Sequence, residues 1–390
     1  MSDAEASEAS RVVLSGWLTQ GPEVAAFEKE FAETVGAPFA VAVSNCTVAL
    51  ELALRCLNIG RGDDVVTVSH SFIATANCIV AVGARPVFVD IEPDTYGMDP
   101  KLVEAAITPN TKAIICVHQI GIPCDLAAIL TIANKHKIPV IEDAACAIGS
   151  EVANHGTWEK IGAPHGLIAC FSMHPRKIVT TGDGGMLTTK DPALAARMKL
   201  LRQHAMSVPD TVRHHSDKVM FESYTEPAYN YRLTDLQAAV GRPQLRRLGD
   251  IVKERRRLAD RYKAALEKST LVSPPTERPT GRSNWQSYPL TIKPGSRLSQ
   301  VEILQALMDN GVAGKRGIMN SHQEPAYENR ALWACGPAEC TKNCAKGTCA
   351  KLAVSERARD TTILIPLFHG MTEAEQDHVI QTILSLDEKK

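Results

Sequence analysis

The sequence predicts an α/β protein, with a large domain built on a mostly parallel central sheet covered by helices and a smaller C-terminal α+β domain. Two observations carry this. Between residues 41 and 142, Val/Ile-rich runs recur with helix-forming segments between them, the pattern of a sheet buried on both faces. After residue 245 the pattern changes to a long charged helix, the Pro-rich stretch SPPTERPTGRS and a sparser set of strands and helices. The expected divisions are an N-terminal arm at 1–20, the large domain at 21–245 and the small domain at 246–390, with a Cys-rich insert at 335–349.

The arm carries a short amphipathic piece at 12–18. A helix at 22–35 places Val24, Phe27 and Phe31 on one face. A strand at 41–43 runs into the turn Ser44-Asn45-Cys46-Thr47 and a helix at 48–57. That turn sits at a helix N-terminus, where N–H groups, a hydroxyl and the dipole suit either an anion or an ordinary cap. Strands at 64–68, 86–91, 112–117 and 138–142 then alternate with helices at 72–82, from Asp99-Pro100 onward, and at 125–136. The stretch LIACFSMHPRKIVTTGDGGMLTT (167–189) reads as strand, loop, strand, and its loop holds one lysine, Lys177. A helix at 192–203 and a polar, His-rich segment follow. Thr234 with Gln237 forms a capping box, and Pro243 is expected to kink or restart that helix at Arg242. The charged helix at 244–267 leads to a strand at 286–292, a helix capped by Ser299 and Glu302, a strand at 363–367 and a last helix capped by Thr372 and Glu375.

Composition narrows the function. Hydrophobic residues make up 44% and charged residues 22%, ordinary for a soluble globular chain. With 43 basic against 44 acidic residues the net charge is -1, so no basic field invites nucleic acid. The start MSDAEASEAS is unlike a signal peptide, and no apolar run is long enough to cross a bilayer. The expected address is cytoplasmic, with neither nucleic acid nor membrane as partner. Cys46, Cys56, Cys78, Cys116, Cys124, Cys146 and Cys170 are scattered through the first half, several of them in apolar segments, like the free thiols of a reducing compartment.

In open α/β sheets, ligands gather at the carboxyl ends of strands. Thr47, Asp143 and the Lys177 loop all follow strands directly, so they are placed to share one rim. Pyridoxal phosphate (PLP) needs a lysine for a Schiff base, a carboxylate to keep its ring nitrogen protonated, donors around a dianionic phosphate, and a flat apolar group against the ring. The chain offers Lys177, Asp143, the Ser44-to-Thr47 turn with Ser172, and Phe72.

The motifs VSNCTVALELAL, SHSFIATANCIVAVGARPVFVDI, VIEDAACAIGS, CFSMHPRKIVTTGDGGMLTT and YNYRLTDLQAAVG stand in the order of one family, and HQEPAY and LIPLFHGMTEAEQ continue it. On these the chain resembles the DegT/DnrJ/EryC1/StrS sugar aminotransferases, PLP enzymes of fold type I. The resemblance implies that Lys177 is the Schiff-base lysine and proton shuttle, and Asp143 the partner of the pyridinium. It implies that Phe72 stacks on the ring and that Cys46, Thr47 and Ser172 bind the phosphate. It implies that Asn230 reaches the cofactor of a neighbouring subunit in a homodimer, and that Arg232 and His322 face substrate. The implied reaction moves an amino group from L-glutamate to a keto-sugar, most simply a nucleotide-linked one, in amino-sugar or glycan biosynthesis. A cyclitol acceptor, a sugar dehydratase and a PLP-binding regulator are the alternatives. Dehydratases of the family replace the lysine by histidine, whereas this chain keeps Lys177. Two positions depart from the family pattern. Cys146 stands where a glutamine usually bonds the ring hydroxyl, and Cys46 stands where a small glycine-like residue is usual.

Cys335, Cys340, Cys344 and Cys349 are spaced C-x4-C-x3-C-x4-C, unlike the paired C-x2-C of common zinc sites. A structural metal or cluster, one or two disulfides, and a surface loop of free thiols remain open for this insert. No catalytic metal is expected.

Overall fold

The N-terminal arm is a helix, α1 (Asp3–Ser15). The computed structural model describes residues 1–390 except 155, 209, 215, 337–346 and 389–390. Glu5 accepts hydrogen bonds from the N–H and hydroxyl of Ser2 at the start of α1 and pairs with Arg247 far along the chain. This explains why sequence reading found only a short amphipathic piece here: the acidic, small-residue start has little apolar stripe of its own, and tertiary contacts hold it. α2 (Pro22–Val35) covers the expected span, and its Phe31 packs edge-on against Phe171.

The central sheet uses β1 (Phe39–Val43), β2 (Asp64–Val68), β3 (Arg85–Val89), β4 (Thr111–Val117) and β5 (Val140–Asp143). After a hairpin of β6 (Glu151–Asn154) and β7 (Thr157–Lys160), it is completed by β8 (Ile168–Ser172) and β9 (Gly185–Thr189). The strand order is β1-β9-β8-β5-β4-β2-β3. β9 runs antiparallel to both neighbours, while β8-β5-β4-β2-β3 pair in parallel. Helices α3 (Cys46–Cys56), α4 (Ala74–Ala81), α5 (Pro100–Ala106), α6 (Leu126–His136) and α7 (Pro192–Leu201) connect or follow these strands. Successive residues of a strand face opposite sides. Ile115, Ile141 and Cys170 accordingly pack with α3, whereas Ile114, Val140 and Phe171 belong to a second core cluster.

Beyond the short α8 (Asp210–His214), α9 (Asp235–Arg246) begins with the expected Thr234–Gln237 capping box. It does not break at Arg242. It runs through Pro243 to Arg246, and Arg247 alone separates it from α10 (Leu248–Leu266). Gln244 accepts from the Thr180 N–H and donates to the Thr180 carbonyl, so contacts with the Lys177 loop hold the helix where proline alone would loosen it. A second sheet has the order β10 (Val272–Ser273), β12 (Tyr288–Ile292), β14 (Thr362–Ile365), β13 (Lys315–Arg316), all antiparallel. It is joined by α11 (Gln300–Asp309), α12 (Ala353–Thr361) and α13 (Glu373–Glu388). β11 (Gly281–Arg282) pairs instead with β6, giving a three-stranded sheet that the polar β6 and β7 and the two-residue β11 did not announce. Among the described residues no helix is long and apolar enough to cross a membrane.

Candidate active site

Three strand ends meet in one row. Val43 at the end of β1 pairs with Gly185, which pairs in turn with Ser172 at the end of β8; Asp143 ends β5 beside Cys170. Gly185 must be glycine for this to close, because a Cβ there would lie 2.4 Å from the Asn45 oxygen. Asn45 caps α3 by accepting the Val48 N–H at 3.0 Å. The first intrahelical bond runs from the Ala49 N–H to the Asn45 carbonyl, which leaves the amides of Cys46 and Thr47 as the open donors at a positive helix end.

Asp143 is buried beside this turn. Its Oδ2 accepts the Thr75 hydroxyl at 2.7 Å and its Oδ1 accepts the Ala145 N–H at 3.2 Å. Burial pushes its carboxyl above the usual range despite those bonds and the nearby charge of Lys177. Lys177 Nζ donates to Cys146 Sγ at 3.0 Å. Burial works against the ammonium, but Cys146, then Cys46 and Asp143, outweigh it and hold the amine above its ordinary pKa. Burial pushes the Cys46 thiol far up, and Asp143, Lys177 and Cys146 all act on it electrostatically, so these four groups share one pocket.

Phe72 stands at the end of the Ser69–Ser71 turn and is 65% exposed, ahead of a helix that begins at Ala74 rather than at 72. Asn230 is exposed, with its Oδ1 accepting the Arg232 N–H at 3.3 Å. The NYR segment lies along the end of β1: the Ser44 N–H donates to the Tyr231 carbonyl at 2.8 Å, and Arg232 bridges to Val43. His322 differs from expectation. It is buried, with Nδ1 against the Ser69 hydroxyl at 2.7 Å and Nε2 against Glu356 at 3.1 Å. Both ring nitrogens are engaged within the chain, so His322 ties the Ser69 turn to Glu356 on α12. Cys335 and Cys349 are buried with Phe88 and Trp333, whereas Cys340 and Cys344 lie outside the described residues.

Sequence reading missed the residues that clamp this pocket from the turn before β12. Asn284 donates to the carbonyls of Cys146 and Ile148, both at 2.8 Å. Gln286 accepts the Ile178 N–H at 3.1 Å and donates to the Arg176 carbonyl at 2.6 Å, bracketing Lys177 on both sides. Two carboxamides around a tryptophan just before a strand were the available signal. Lys315 was missed as well. Partial burial lowers its pKa, and the charges of Arg176 and Lys177 add to that while Cys146 opposes it, so Lys315 lies within electrostatic reach of the Lys177 loop.

The donor set fits PLP. Lys177 can take the aldehyde, Asp143 the ring nitrogen, the α3 start with Ser172 the phosphate, and Phe72 a ring face. The chain is 36% identical over 381 residues to the spore coat polysaccharide biosynthesis protein SpsC of Bacillus subtilis, spanning 97% of this chain and 93% of that protein. It superposes on an aminotransferase from Psychrobacter cryohalolentis with TM-score 0.88 at 30% identity, over 99% and 97% of the two chains. It superposes on the PLP form of Spr1654 from Streptococcus pneumoniae with TM-score 0.86 at 26% identity, over 100% and 97%. The sequence model of the DegT/DnrJ/EryC1/StrS aminotransferase family matches residues 1–384, and this chain belongs to that family of PLP-dependent aminotransferases.

Proposed function

We propose that the chain moves the amino group of L-glutamate onto a keto-sugar, with a nucleotide-linked sugar as acceptor, in amino-sugar or glycan biosynthesis. The observation that carries this reading is Lys177 held at 3.0 Å by Cys146 while buried Asp143 acts on the same amine. When bound, PLP supplies the aldehyde that takes up the amino group and the ring that withdraws electrons from the substrate carbon. Lys177 Nζ removes the proton from the α-carbon of glutamate and, in the second half of the cycle, returns a proton to the sugar carbon that receives nitrogen. Asp143 keeps a proton on the ring nitrogen; its own burial makes an ionised partner favourable. The N–H groups of Cys46 and Thr47 orient the phosphate. Arg176 and Lys315 offer cations to the glutamate carboxylates or to the phosphates of a nucleotide sugar, and SpsC, by its name, serves polysaccharide biosynthesis. Asn230 completes the phosphate site of a second subunit, which makes the working unit a homodimer.

The test is the absorption spectrum of the PLP-loaded protein before and after adding L-glutamate alone. A long-wavelength band that bleaches with release of 2-oxoglutarate, and that is missing in Lys177→Ala, is the expected result. A bound-PLP band that ignores glutamate overturns the choice of donor, and failure to bind PLP overturns the whole reading.

A further inference from the structure

Glu142 and Asp143 are successive residues at the end of β5, so they face opposite sides of the sheet. Asp143 faces Lys177. Behind it, Glu142 faces a second cluster that takes no part in that chemistry. Cys116 near the end of β4, His118 just beyond it and Cys124 after the turn at 119–121 are all buried, and one donor atom from each lies within 4.8 Å of the others. His118 Nε2 meets Glu142 Oε2 at 3.0 Å, and the other Glu142 oxygen accepts the Gly166 N–H at 2.7 Å. The Cys124 amide N–H donates to Nδ1, so Nδ1 carries the ring's lone pair and Nε2 donates its proton to Glu142. That lone pair faces Cys124, whose amide N–H reaches it at 3.3 Å, a long bond that is readily exchanged.

An imidazole tied to a carboxylate through its far nitrogen, with its near nitrogen beside two thiols, is how proteins aim a histidine at a metal. Two sulfurs and one nitrogen form a soft donor set, unsuited to magnesium or calcium. We propose that Cys116, His118 and Cys124 form a buried binding site for a thiophilic divalent cation of the zinc type, with Glu142 orienting His118 from behind. On binding, both thiols lose their protons to solvent and two metal–thiolate bonds and one metal–nitrogen bond form. A structural zinc ion is four-coordinate, so a backbone carbonyl or an enclosed water completes the set. The Ile141 carbonyl stands 3.8 Å from Cys116 Sγ. Because the His118 N–H donates to the Asp143 carbonyl at 3.1 Å, the ion would stiffen the strand end that carries Asp143.

The test must separate this site from the cysteine insert. The PLP-loaded Cys340→Ser/Cys344→Ser variant is dialysed against a chelator, reloaded with zinc alone, and examined by elemental analysis and zinc-edge X-ray absorption. One tightly held zinc per chain is expected, with two sulfurs at about 2.3 Å and nitrogen at about 2.0–2.1 Å. Adding Cys116→Ser and Cys124→Ser should abolish it, with the PLP band reporting that the variant has folded. If that variant fails to fold, the sulfur and nitrogen count in the parent decides alone. No stoichiometric zinc, a sulfur-only shell, or zinc retained without Cys116 and Cys124 overturns the proposal. So does finding two fewer alkylatable thiols in the freshly isolated protein because Cys116 and Cys124 form a disulfide.

Discussion

At the scale of single residues, the pocket is governed by buried Asp143, half-buried Lys177 and the thiols beside them. Cys146 is the first of the groups that raise the pKa of Lys177, so Cys146→Ala should lower it. The neutral amine then appears at lower pH, and the rate at which apoenzyme captures PLP should rise at a lower pH than in the wild type. An unchanged pH profile would mean that Cys146 has no hold on the amine. Asp143 works in the other sense. Its folded-state pKa is raised by burial, so the ionised carboxylate weakens the apoenzyme as pH climbs past the unfolded value. Asp143→Asn should therefore gain apoenzyme stability relative to wild type at pH 7 more than at pH 4, while turnover falls by about 10²–10³, the cost typical of a lost electrostatic stabiliser. Denaturation curves at the two pH values, with steady-state rates, check both halves.

Among the elements, the decisive one is the turn from Ser283 to Ser287. Asn284 satisfies two carbonyls of the Cys146 loop, and its Oδ1 also accepts the Gln286 N–H at 2.8 Å. Asn284→Ala leaves those buried carbonyls without a donor, at about 1–3 kcal/mol each. The expected outcome is a lower denaturation midpoint together with weaker PLP binding, measured by equilibrium dialysis. A loss of stability that leaves PLP affinity untouched would make the turn a structural strut only. The same reasoning explains α9, where the side chain of Gln244 ties the helix to the Lys177 loop despite Pro243.

The whole molecule presents its strand ends, and therefore its site, on one rim, with an exposed apolar stretch nearby. Val219 and Phe221 are 85% and 88% exposed, and Tyr224 and Tyr229 add to the surface. A second copy covering that stretch would bring its Asn230 to this chain's phosphate turn. Mixing Lys177→Ala and Asn230→Ala protomers tests the arrangement. A site built from the second protomer's lysine and the first protomer's asparagine is intact, so the mixture should recover activity that neither variant has. No recovery, with exchange of subunits verified by mass, would place Asn230 in its own chain's site.

Much of this was legible in the sequence because it depends on local pattern. The parallel strands announced themselves as Val/Ile runs, and the capping boxes at Thr234, Ser299 and Thr372 stand in the structure as bonded pairs. Lys177 and Asp143 could be named because each follows a strand and lies in an ordered motif. What the sequence could not show is whatever depends on residues distant along the chain. Residues 3–15 become helical with Glu5 held by Arg247, Pro243 is tolerated because of Thr180, and His322 turns inward because Ser69 and Glu356 occupy both its nitrogens. Asn284 and Gln286 reach the Cys146 and Lys177 loops across more than a hundred residues. Cys116 and Cys124, which stand in the sequence as two of several scattered thiols, join His118 in a single donor cluster only where the end of β4 meets Glu142 on β5. Side-chain periodicity and caps are short-range and survive in the linear text; hydrogen-bond partners and charge neighbourhoods exist only after the chain has folded.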